Sequence, residues 1–253
     1  MSKPSAAQAP DTADFGFSTV AREEKQKKVR AVFDGVAGRY DLMNDLMSMG
    51  MHRGWKDKFV AHVSVHAPQR ILDVAGGTGD IARRLFAKTR APITVCDINH
   101  AMLKEGIHTR FDKGESEGLS WVCGNAEALP LPDACVDVYT IAFGLRNVTN
   151  KDVALREAYR VLRPGGQFLC LEFSPVENGL LKPLYDAYSF HAIPRMGGLV
   201  AGDRAAYQYL VESIRMFPNV KTLEKMCAEA GFSRVKSRTL SGGIVAIHEG
   251  WHV

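Results

Sequence analysis

Apolar and polar positions follow two periods along the chain, and together they predict alternating buried strands and amphipathic helices. The short apolar run at residues 71–74 is typical of a buried strand. Glycines then cluster at residues 76–79, and apolar positions return at helical spacing from Ile81 to Phe86. We therefore predict a strand, a glycine turn and a helix whose N-terminus faces a ligand.

The same two periods recur over the rest of the chain. Strand-length apolar runs lie at residues 93–97, 119–123, 136–142 and 168–173, and a final pair lies at 234–240 and 243–248. Helical spacing covers residues 23–40, a stretch that ends near 63, residues 151–162 and residues 222–230. This alternation predicts an α/β fold with a seven-stranded, mostly parallel sheet that an antiparallel C-terminal strand closes.

The patterns also predict the domain organisation. Residues 1–14 are rich in Ala, Pro, Ser and Asp, and we expect a disordered tail there. Residues 15–253 form a single domain, in which residues 15–66 are an N-terminal helical cap. Residues 180–218 carry interspersed aromatic and basic residues that do not fit a βα repeat, and we expect an insertion that forms a lid over the crevice. The alternative is an extra helical layer that only packs.

Composition restricts the class of protein. The chain has 253 residues, of which 46% are hydrophobic and 24% charged, and its net charge is +4. This charge is too mild to indicate nucleic acid as a partner, but it is compatible with an anionic membrane surface. The five cysteines form no C-x-x-C pair, and no apolar run has the length of a transmembrane helix. We expect a cytoplasmic chain in a reducing compartment.

The glycine turn and the next strand together suggest a nucleoside site. A dinucleotide fingerprint needs G-x-G-x-x-G, but only Gly77 and Gly79 match, and Ala82 stands at the third glycine position. The pattern therefore favours a smaller nucleoside-type cofactor over a pyrophosphate. Asp97 follows Gly77 by 20 residues at the end of a strand, where an acid can accept both ribose hydroxyls. The alternative is that Asp97 caps the next helix.

Other polar residues lie where strands end. Asn125 and Ala126 follow the third strand and suit an adenine edge, unless they form an ordinary Asn turn. Arg146 and Asn147 follow the fourth strand, where loops line the ligand crevice of open α/β sheets. Asp73 lies inside an apolar strand, so we expect a hydrogen bond from the turn or a cationic ligand beside it.

Several motifs resemble known enzymes. The stretches L-D-V-A-G-G-T-G-D at 72–80, N-A-E-A-L-P at 125–130 and V-L-R-P-G-G at 161–166, with the acid Asp97, resemble class I S-adenosylmethionine-dependent methyltransferases. Four further stretches resemble the ubiquinone/menaquinone biosynthesis C-methyltransferases: F-G-F at 15–17, Y-D-L-M-N-D at 40–45, F-G-L-R-N-V-T at 143–149 and Y-D-A-Y-S-F at 185–190. The resemblance runs from about Phe15 to the C-terminus.

The resemblance implies a Rossmann-like class I methyltransferase fold and S-adenosylmethionine as cofactor, with no metal. The implied cofactor-binding residues are Asp73, Gly76, Gly77, Thr78, Gly79, Asp97, Asn125, Ala126 and Ala142. Family members often carry Ser where this chain has Ala142, so the hydroxyl contact is lost and a backbone contact would have to replace it.

The implied reaction is C-methylation of a polyprenylated quinol, 2-methoxy-6-polyprenyl-1,4-benzoquinol, with demethylmenaquinol as a further candidate. Arg146 suits stabilisation of phenolate-like charge, and Asn147 suits orientation of a hydroxyl. Tyr40 could hydrogen-bond the quinol or relay a proton, whereas Asp186 and His191 are weaker candidates for the base. These roles define the predicted catalytic residues as Arg146, Asn147 and Tyr40.

Three alternatives remain at this point. One is a methyltransferase of the same fold with another phenolic acceptor, and another is a non-catalytic scaffold of a quinone-synthesis assembly. The third is an NAD-dependent oxidoreductase, which the missing third glycine argues against. The prenyl tail suggests a peripheral enzyme whose segments 43–51 and 180–218 face the inner side of a membrane or a partner protein. A homodimer is also left open.

Overall fold

The computed structural model describes residues 11–36, 44–45, 48–175 and 204–253 of the chain. A small antiparallel hairpin opens the described chain and consists of β1 (Thr12–Phe15) and β2 (Ser18–Ala21). Two helices follow, α1 (Arg22–Val36) and α2 (His52–Ala61). These elements precede the main sheet in the sequence.

The main sheet alternates with helices as the periodicity predicts. Its strands are β3 (Ile71–Val74), β4 (Ile93–Asp97), β5 (Leu119–Cys123), β6 (Val136–Ala142), β7 (Leu162–Phe173), β8 (Ser233–Leu240) and β9 (Val245–Trp251). The remaining described helices are α3 (Asp80–Thr89), α4 (His100–Asp112), α5 (Lys151–Val161), α6 (Arg204–Arg215) and α7 (Val220–Glu229). A single 3₁₀ turn, Leu145–Asn147, lies between β6 and α5, and another, Ser241–Gly243, joins β8 to β9.

The strand order in the main sheet is β5-β4-β3-β6-β7-β9-β8. Strands β3 to β7 pair in parallel, whereas β9 runs antiparallel to both β7 and β8. This arrangement confirms the predicted seven-stranded, mostly parallel sheet with an antiparallel C-terminal strand. The chain order reverses direction between β3 and β6, so a crevice opens at the carboxyl ends of these central strands.

Two apolar layers cover the two faces of the sheet. Side chains of α2, α3 and α6 pack on one face around Phe59, Leu85 and Leu210, which are fully buried. Side chains of α5 and α7 pack on the other face around Leu155 and Leu223. Burying each such side chain contributes about 1.5–3 kcal/mol. The central strands are therefore held rigidly, and the loops at their carboxyl ends have a fixed base.

The N-terminal region differs from the prediction. Strand β1 begins at Thr12, so the end of the predicted disordered tail at residue 14 is too late, and the expected cap starts with a hairpin rather than a helix. Residues 1–10 lie outside the described part. The sequence of the hairpin carries no strong alternation of apolar and polar residues. The hairpin packs against α1, and the stacked rings of Phe15 and Tyr209 join it to α6.

Strand β7 also starts earlier than predicted. The stretch Arg163-Pro164-Gly165-Gly166 lies between the helix predicted at 151–162 and the strand predicted at 168–173, yet it belongs to β7. Gly165 N–H donates to the carbonyl oxygen of His252 at 2.7 Å, and His252 N–H donates to that of Gly166 at 3.0 Å. Pairing with the chain end thus overrides the local turn preference.

Only the end of the predicted lid is described, because residues 176–203 lie outside the described part. Within the remainder, Tyr207, Leu210 and Val211 of α6 are buried in the core. This helix therefore packs as the alternative interpretation expected, and a lid function of residues 180–203 stays a prediction.

Replacing two helical glycines by alanine should change the stability of the protein in opposite directions. In Gly54→Ala the new Cβ meets no atom within 4 Å, so the free energy of unfolding should rise by about 0.5–1 kcal/mol. In Gly106→Ala the Cβ would lie 2.8 Å from both Thr78 Cα and the Trp121 ring, so unfolding should become easier by about 1–3 kcal/mol. Urea denaturation of both variants measures this; equal effects would contradict the described packing of α4 against the glycine turn.

Candidate active site

An open cleft of about 820 Å³ lies at the carboxyl ends of β3, β4, β5 and β6. Helix α1 forms its outer wall. The lining residues are Gln26, Val29, Arg30, Phe33, Val74, Ala75, Gly77, Asp97, Ile98, Asn99, Met102, Gly124, Asn125, Ala126, Glu127, Phe143, Gly144, Asn147, Val148 and Thr149. Its position matches the crevice that the strand order predicts, and its walls combine apolar side chains with a few polar groups.

The glycine turn forms the floor of the cleft. Gly79 N–H donates to the carbonyl oxygen of Gly76 at 2.8 Å, and Gly77 has φ +53°. A Cβ at Gly77 would lie 3.0 Å from Met102 Cε, so only glycine keeps the backbone open to a ligand here. The turn thus places a peptide backbone against the cleft at a point where a side chain would narrow it.

Asp97 is the anchor between the turn and β4. Its Oδ2 accepts a hydrogen bond from Gly77 N–H at 2.9 Å, and its Oδ1 accepts one from Asn99 N–H at 2.8 Å. Burial raises the pKa of this carboxyl above its usual range, while these amides oppose the shift. Each oxygen keeps a second acceptor site, because a carboxylate offers about four lone pairs. The geometry therefore suits a ligand with two neighbouring hydroxyls.

The N-cap of α4 is Asn99, and not Asp97 as the alternative interpretation proposed. Asn99 Oδ1 accepts from Met102 N–H at 3.0 Å and so caps α4. Asn99 Nδ2 also donates to Asp34 Oδ1 at 2.9 Å and thereby joins α1 to the loop after β4. Asp97 is left free to face the cleft.

Asp73 supports the site from below without lining the cleft. It is buried, and Thr140 Oγ1 donates to its Oδ1 at 2.7 Å. Burial raises its pKa to about 7, and the Thr140 hydrogen bond opposes that shift. A Cβ at Gly76 would lie 2.9 Å from Asp73 Oδ2, so the two residues pack in direct contact. The expected hydrogen bond exists, but it comes from β6 rather than from the turn.

The loop after β5 carries two expected site residues and one unexpected one. Asn125 Oδ1 accepts from Glu127 N–H at 3.0 Å, which is the Asn turn of the alternative interpretation, yet Asn125 and Ala126 also line the cleft. Glu127 was not predicted. Its carboxylate accepts from the backbone N–H groups of Thr149 and Asn150, both at 3.1 Å, and from Asn150 Nδ2 at 2.6 Å. It therefore fixes the two loops that face each other across the cleft.

The loop after β6 approaches the glycine turn closely. Phe143 has φ +56°, a conformation that costs about 1–3 kcal/mol for a residue with a side chain. A Cβ at Gly144 would lie 2.4 Å from Ala75 Cβ, so glycine is required there. Asn147 lines the cleft, and its Oδ1 accepts from the Tyr209 hydroxyl at 3.0 Å.

Arg146 does not line the main cleft. Its Nη1 donates to Glu172 Oε1 and to the carbonyl oxygen of Phe143, both at 2.7 Å, and its guanidinium lies over the Phe173 ring. Both members of the Arg146–Glu172 ion pair are buried. The 3₁₀ turn points consecutive side chains in different directions, so Arg146 and Asn147, which the sequence placed together, face different spaces.

The predicted cofactor residues divide into two groups. Those that line the cleft are Gly77, Asp97, Asn125 and Ala126. The others, Asp73, Gly76, Thr78, Gly79 and Ala142, are not among the lining residues. The predicted catalytic Tyr40 lies outside the described residues, as do Asp186 and His191.

Helix α1 was missed as part of the site. Val29 and Phe33 have core-like helical spacing, but they face the cleft together with Gln26 and Arg30. Arg30 Nη2 donates to the carbonyl oxygen of Ile98 at 3.3 Å, which helps to hold α1 over the β4 end. An apolar helix face looks the same in sequence whether it packs on the core or on a ligand, so no signal distinguished the two.

Solved structures place the fold in a known class. An S-adenosylmethionine-dependent methyltransferase from Thermotoga maritima superposes with a TM-score of 0.64 at 17% identity, covering 89% of this chain and 100% of that one. An S-adenosylmethionine-dependent methyltransferase from Aquifex aeolicus gives a TM-score of 0.58 at 15% identity, covering 78% and 89%. These likenesses show that the fold is the Rossmann-like class I methyltransferase fold.

Sequence relatives define the family. The profile of the ubiE/COQ5 methyltransferase family matches residues 19–252. The ubiquinone/menaquinone biosynthesis C-methyltransferase UbiE of Acidiphilium cryptum is 56% identical over 96% of this chain and 98% of its own. The mitochondrial 2-methoxy-6-polyprenyl-1,4-benzoquinol methylase of Mus musculus is 48% identical over 94% and 83%. The chain belongs to the ubiE/COQ5 methyltransferase family, and this membership implies S-adenosylmethionine as the methyl donor.

The cleft fits this donor. The paired acceptor sites of Asp97 suit the two ribose hydroxyls, and Asn125 and Ala126 line the cleft beside them. The Cβ-free backbone of Gly77 leaves room for the rest of the molecule.

Replacing Asp97 tests the ribose contact. Asp97→Asn keeps the size of the side chain but replaces one acceptor oxygen by an NH2 group, which can accept neither a ribose hydroxyl nor the backbone N–H of Gly77 or Asn99. S-adenosylmethionine binding should therefore weaken by about 1.5–3 kcal/mol or more, as for hydrogen bonds to a charged group. Isothermal titration calorimetry measures the affinity. Asp112→Asn, which removes an exposed carboxylate from the end of α4, serves as the control and should bind normally. Unchanged affinity in Asp97→Asn would rule out the ribose assignment.

Proposed function

We propose that the chain transfers the methyl group of S-adenosylmethionine to a ring carbon of 2-methoxy-6-polyprenyl-1,4-benzoquinol, and that demethylmenaquinol is a second acceptor. The observation that carries this proposal is the sequence similarity to relatives named for quinol C-methylation. Two of them are 56% and 48% identical to this chain over 96% and 94% of its length. The acceptor class follows from those names, and the cleft supplies the geometry for the donor.

Bound S-adenosylmethionine supplies a methyl group that is already activated by its sulfonium. The protein has to hold the donor, place the acceptor ring in line with the methyl group, and favour ionisation of a quinol hydroxyl. Asp97, Asn125 and Gly77 line the end of the cleft that we assign to the donor. Phe143 and Asn147 line the end formed by the loop after β6, which we assign to the acceptor.

Asn147 is well suited to orient the acceptor. Its Oδ1 is occupied by the hydroxyl of Tyr209, which fixes the amide and leaves the Nδ2 protons to donate to a quinol oxygen. Such a donor stabilises the developing negative charge on the oxygen. Phe143 lines the same end of the cleft, and its ring packs against Phe173 in the core, which fixes the loop beside Asn147.

The proposed role of Arg146 in charge stabilisation is modified by its surroundings. Glu172 partly neutralises the guanidinium, and the contact with the Phe143 carbonyl ties it to the acceptor loop. Arg146 would then act by long-range charge and by holding this loop. Tyr40 is retained as a candidate hydrogen-bond donor or proton relay.

We also propose that the enzyme meets its substrate at a membrane surface. No helix among the described residues is long and apolar enough to cross a bilayer. The prenyl tail of the acceptor partitions into lipid, so a peripheral contact at the inner face or a quinone-biosynthesis partner would have to present the quinol. A cytoplasmic location and a homodimer are compatible with this arrangement.

Single-turnover methyl transfer tests the function. Enzyme loaded with methyl-labelled S-adenosylmethionine should label the ring carbon of a short-tailed benzoquinol, and labelling of a demethylmenaquinol would establish the second acceptor. Asn147→Ala should lower the transfer rate by about 10²–10³-fold with little change in donor affinity, because the contact is to the acceptor. Label on a quinol oxygen, or no transfer to either quinol, would contradict the proposal.

A further inference from the structure

A second, smaller pocket lies on the far side of the loop after β6. Its open space, including the mouth towards solvent, is about 260 Å³ and lies between the β1–β2 hairpin, α1, α5 and α6. Its lining residues are Asp14, Gly16, Lys25, Arg146, Lys151, Tyr209, Ser213 and Met216. We call this the cation pocket, because three of its side chains are basic. None of the roles discussed above uses the two lysines.

The two lysines converge on one acceptor. Lys25 Nζ and Lys151 Nζ both donate to the carbonyl oxygen of Val148, at 3.3 Å and 3.4 Å. Lys25 is 3% exposed. Within the described part of the chain, neither lysine forms a salt bridge. One carbonyl oxygen compensates poorly for the buried ammonium group of Lys25 and the partly buried one of Lys151.

Arg146 brings a third positive charge to the cation pocket. Arg146 is paired with Glu172 through Nη1, but its buried Nε has no hydrogen-bond partner among the described residues. Burial, followed by the charge of Lys151, lowers the pKa of Lys25 to about 8, and burial also lowers that of Lys151. The other charged groups that face the two lysines are Asp14, Glu127, Asp152, Glu172 and Arg22. The four carboxylates raise the pKa values of the lysines but do not outweigh the effect of burial, and Arg22 lowers the pKa of Lys25 further.

The rim of the pocket is apolar and exposed. Met216 lines the pocket and is 45% exposed, and Phe17, next to the lining residue Gly16, is 58% exposed. Glu212 accepts from Phe17 N–H and so holds the hairpin tip against α6. Buried cations beneath an exposed apolar rim match the two ends of a phospholipid at a bilayer surface.

We propose that the cation pocket binds a phosphate group, and that in the cell this phosphate is the head group of an anionic phospholipid. The Nζ groups of Lys25 and Lys151 and the Nε of Arg146 donate to the phosphate oxygens, while Phe17 and Met216 contact the acyl boundary. Phosphate binding does not depend on the methyl-transfer reaction; only the lipid source rests on the membrane contact proposed above.

Inorganic phosphate and vesicles test the two parts of this inference on the full-length protein. Calorimetry should show saturable phosphate binding that Lys25→Gln and Lys151→Gln each weaken about tenfold or more, as expected for a charge-assisted hydrogen bond. Lys28→Gln is the matched control, because Lys28 lies on the same helix but is exposed and paired with Glu24. It should bind phosphate as the wild type does.

Two readouts distinguish a phosphate site from general charge. A bound anion stabilises the charged form of the lysines, so phosphate binding at pH 8 should be accompanied by proton uptake. The uptake is measured as a binding enthalpy that depends on the ionisation enthalpy of the buffer. Above pH 8 the affinity for phosphate should fall, because Lys25 loses its proton. Each Gln variant removes a charge that desolvation disfavours, and both should unfold at the wild-type temperature or higher. If one fails to fold, the other carries the comparison.

Vesicle flotation identifies the source of the phosphate. Phosphatidylglycerol vesicles should bind the wild type and Lys28→Gln but release both pocket variants, free phosphate should compete, and phosphatidylcholine vesicles should bind weakly. Phosphate binding without vesicle binding would overturn the lipid assignment. No phosphate binding, or equal losses in Lys28→Gln and Lys25→Gln, would overturn the site.

Discussion

The hydrogen bond between Asp97 and the Gly77 amide is the interaction on which the cleft depends. It joins the end of β4 to the glycine turn after β3, so two neighbouring strands present their termini as one surface. The same carboxylate accepts from Asn99, whose own side chain starts α4 and holds α1. One buried carboxylate thereby sets the floor and the outer wall of the part of the cleft that we assign to the donor. Its remaining acceptor sites are then presented to the ligand without rearrangement.

A second set of contacts shapes the side of the cleft that we assign to the acceptor. Glu127 binds the backbone of Thr149 and Asn150, and the absence of a side chain at Gly144 lets the loop after β6 lie against Ala75. These contacts hold Phe143 in its unfavourable backbone conformation with positive φ, as surrounding contacts usually do for strained residues at functional sites. Asn147 then faces the cleft, and the neighbouring Arg146 faces the cation pocket. The same short loop thus forms the wall between two chemically different spaces.

Sequence patterns predict what depends on local periodicity. The buried strands follow from their apolar runs, and Asp97 follows from its spacing to Gly77, because the geometry of a βα unit is nearly constant. They do not predict what depends on contacts between distant segments. The hairpin packs on α1 and α6, and Gly165 of β7 pairs with the chain end. The opposite directions of Arg146 and Asn147 arise from a 3₁₀ turn that has no clear sequence signal.

The most direct measurement compares ribose-modified ligands in two forms of the protein. S-adenosylhomocysteine and its 2′-deoxy and 3′-deoxy analogues are titrated into the wild type and Asp97→Asn. The account predicts that each missing hydroxyl weakens binding to the wild type, and that at least one of these penalties is much smaller in Asp97→Asn, because the hydroxyl has lost its partner oxygen. Penalties of equal size in both proteins would show that the Asp97 carboxylate does not hold the ribose, and would contradict the account.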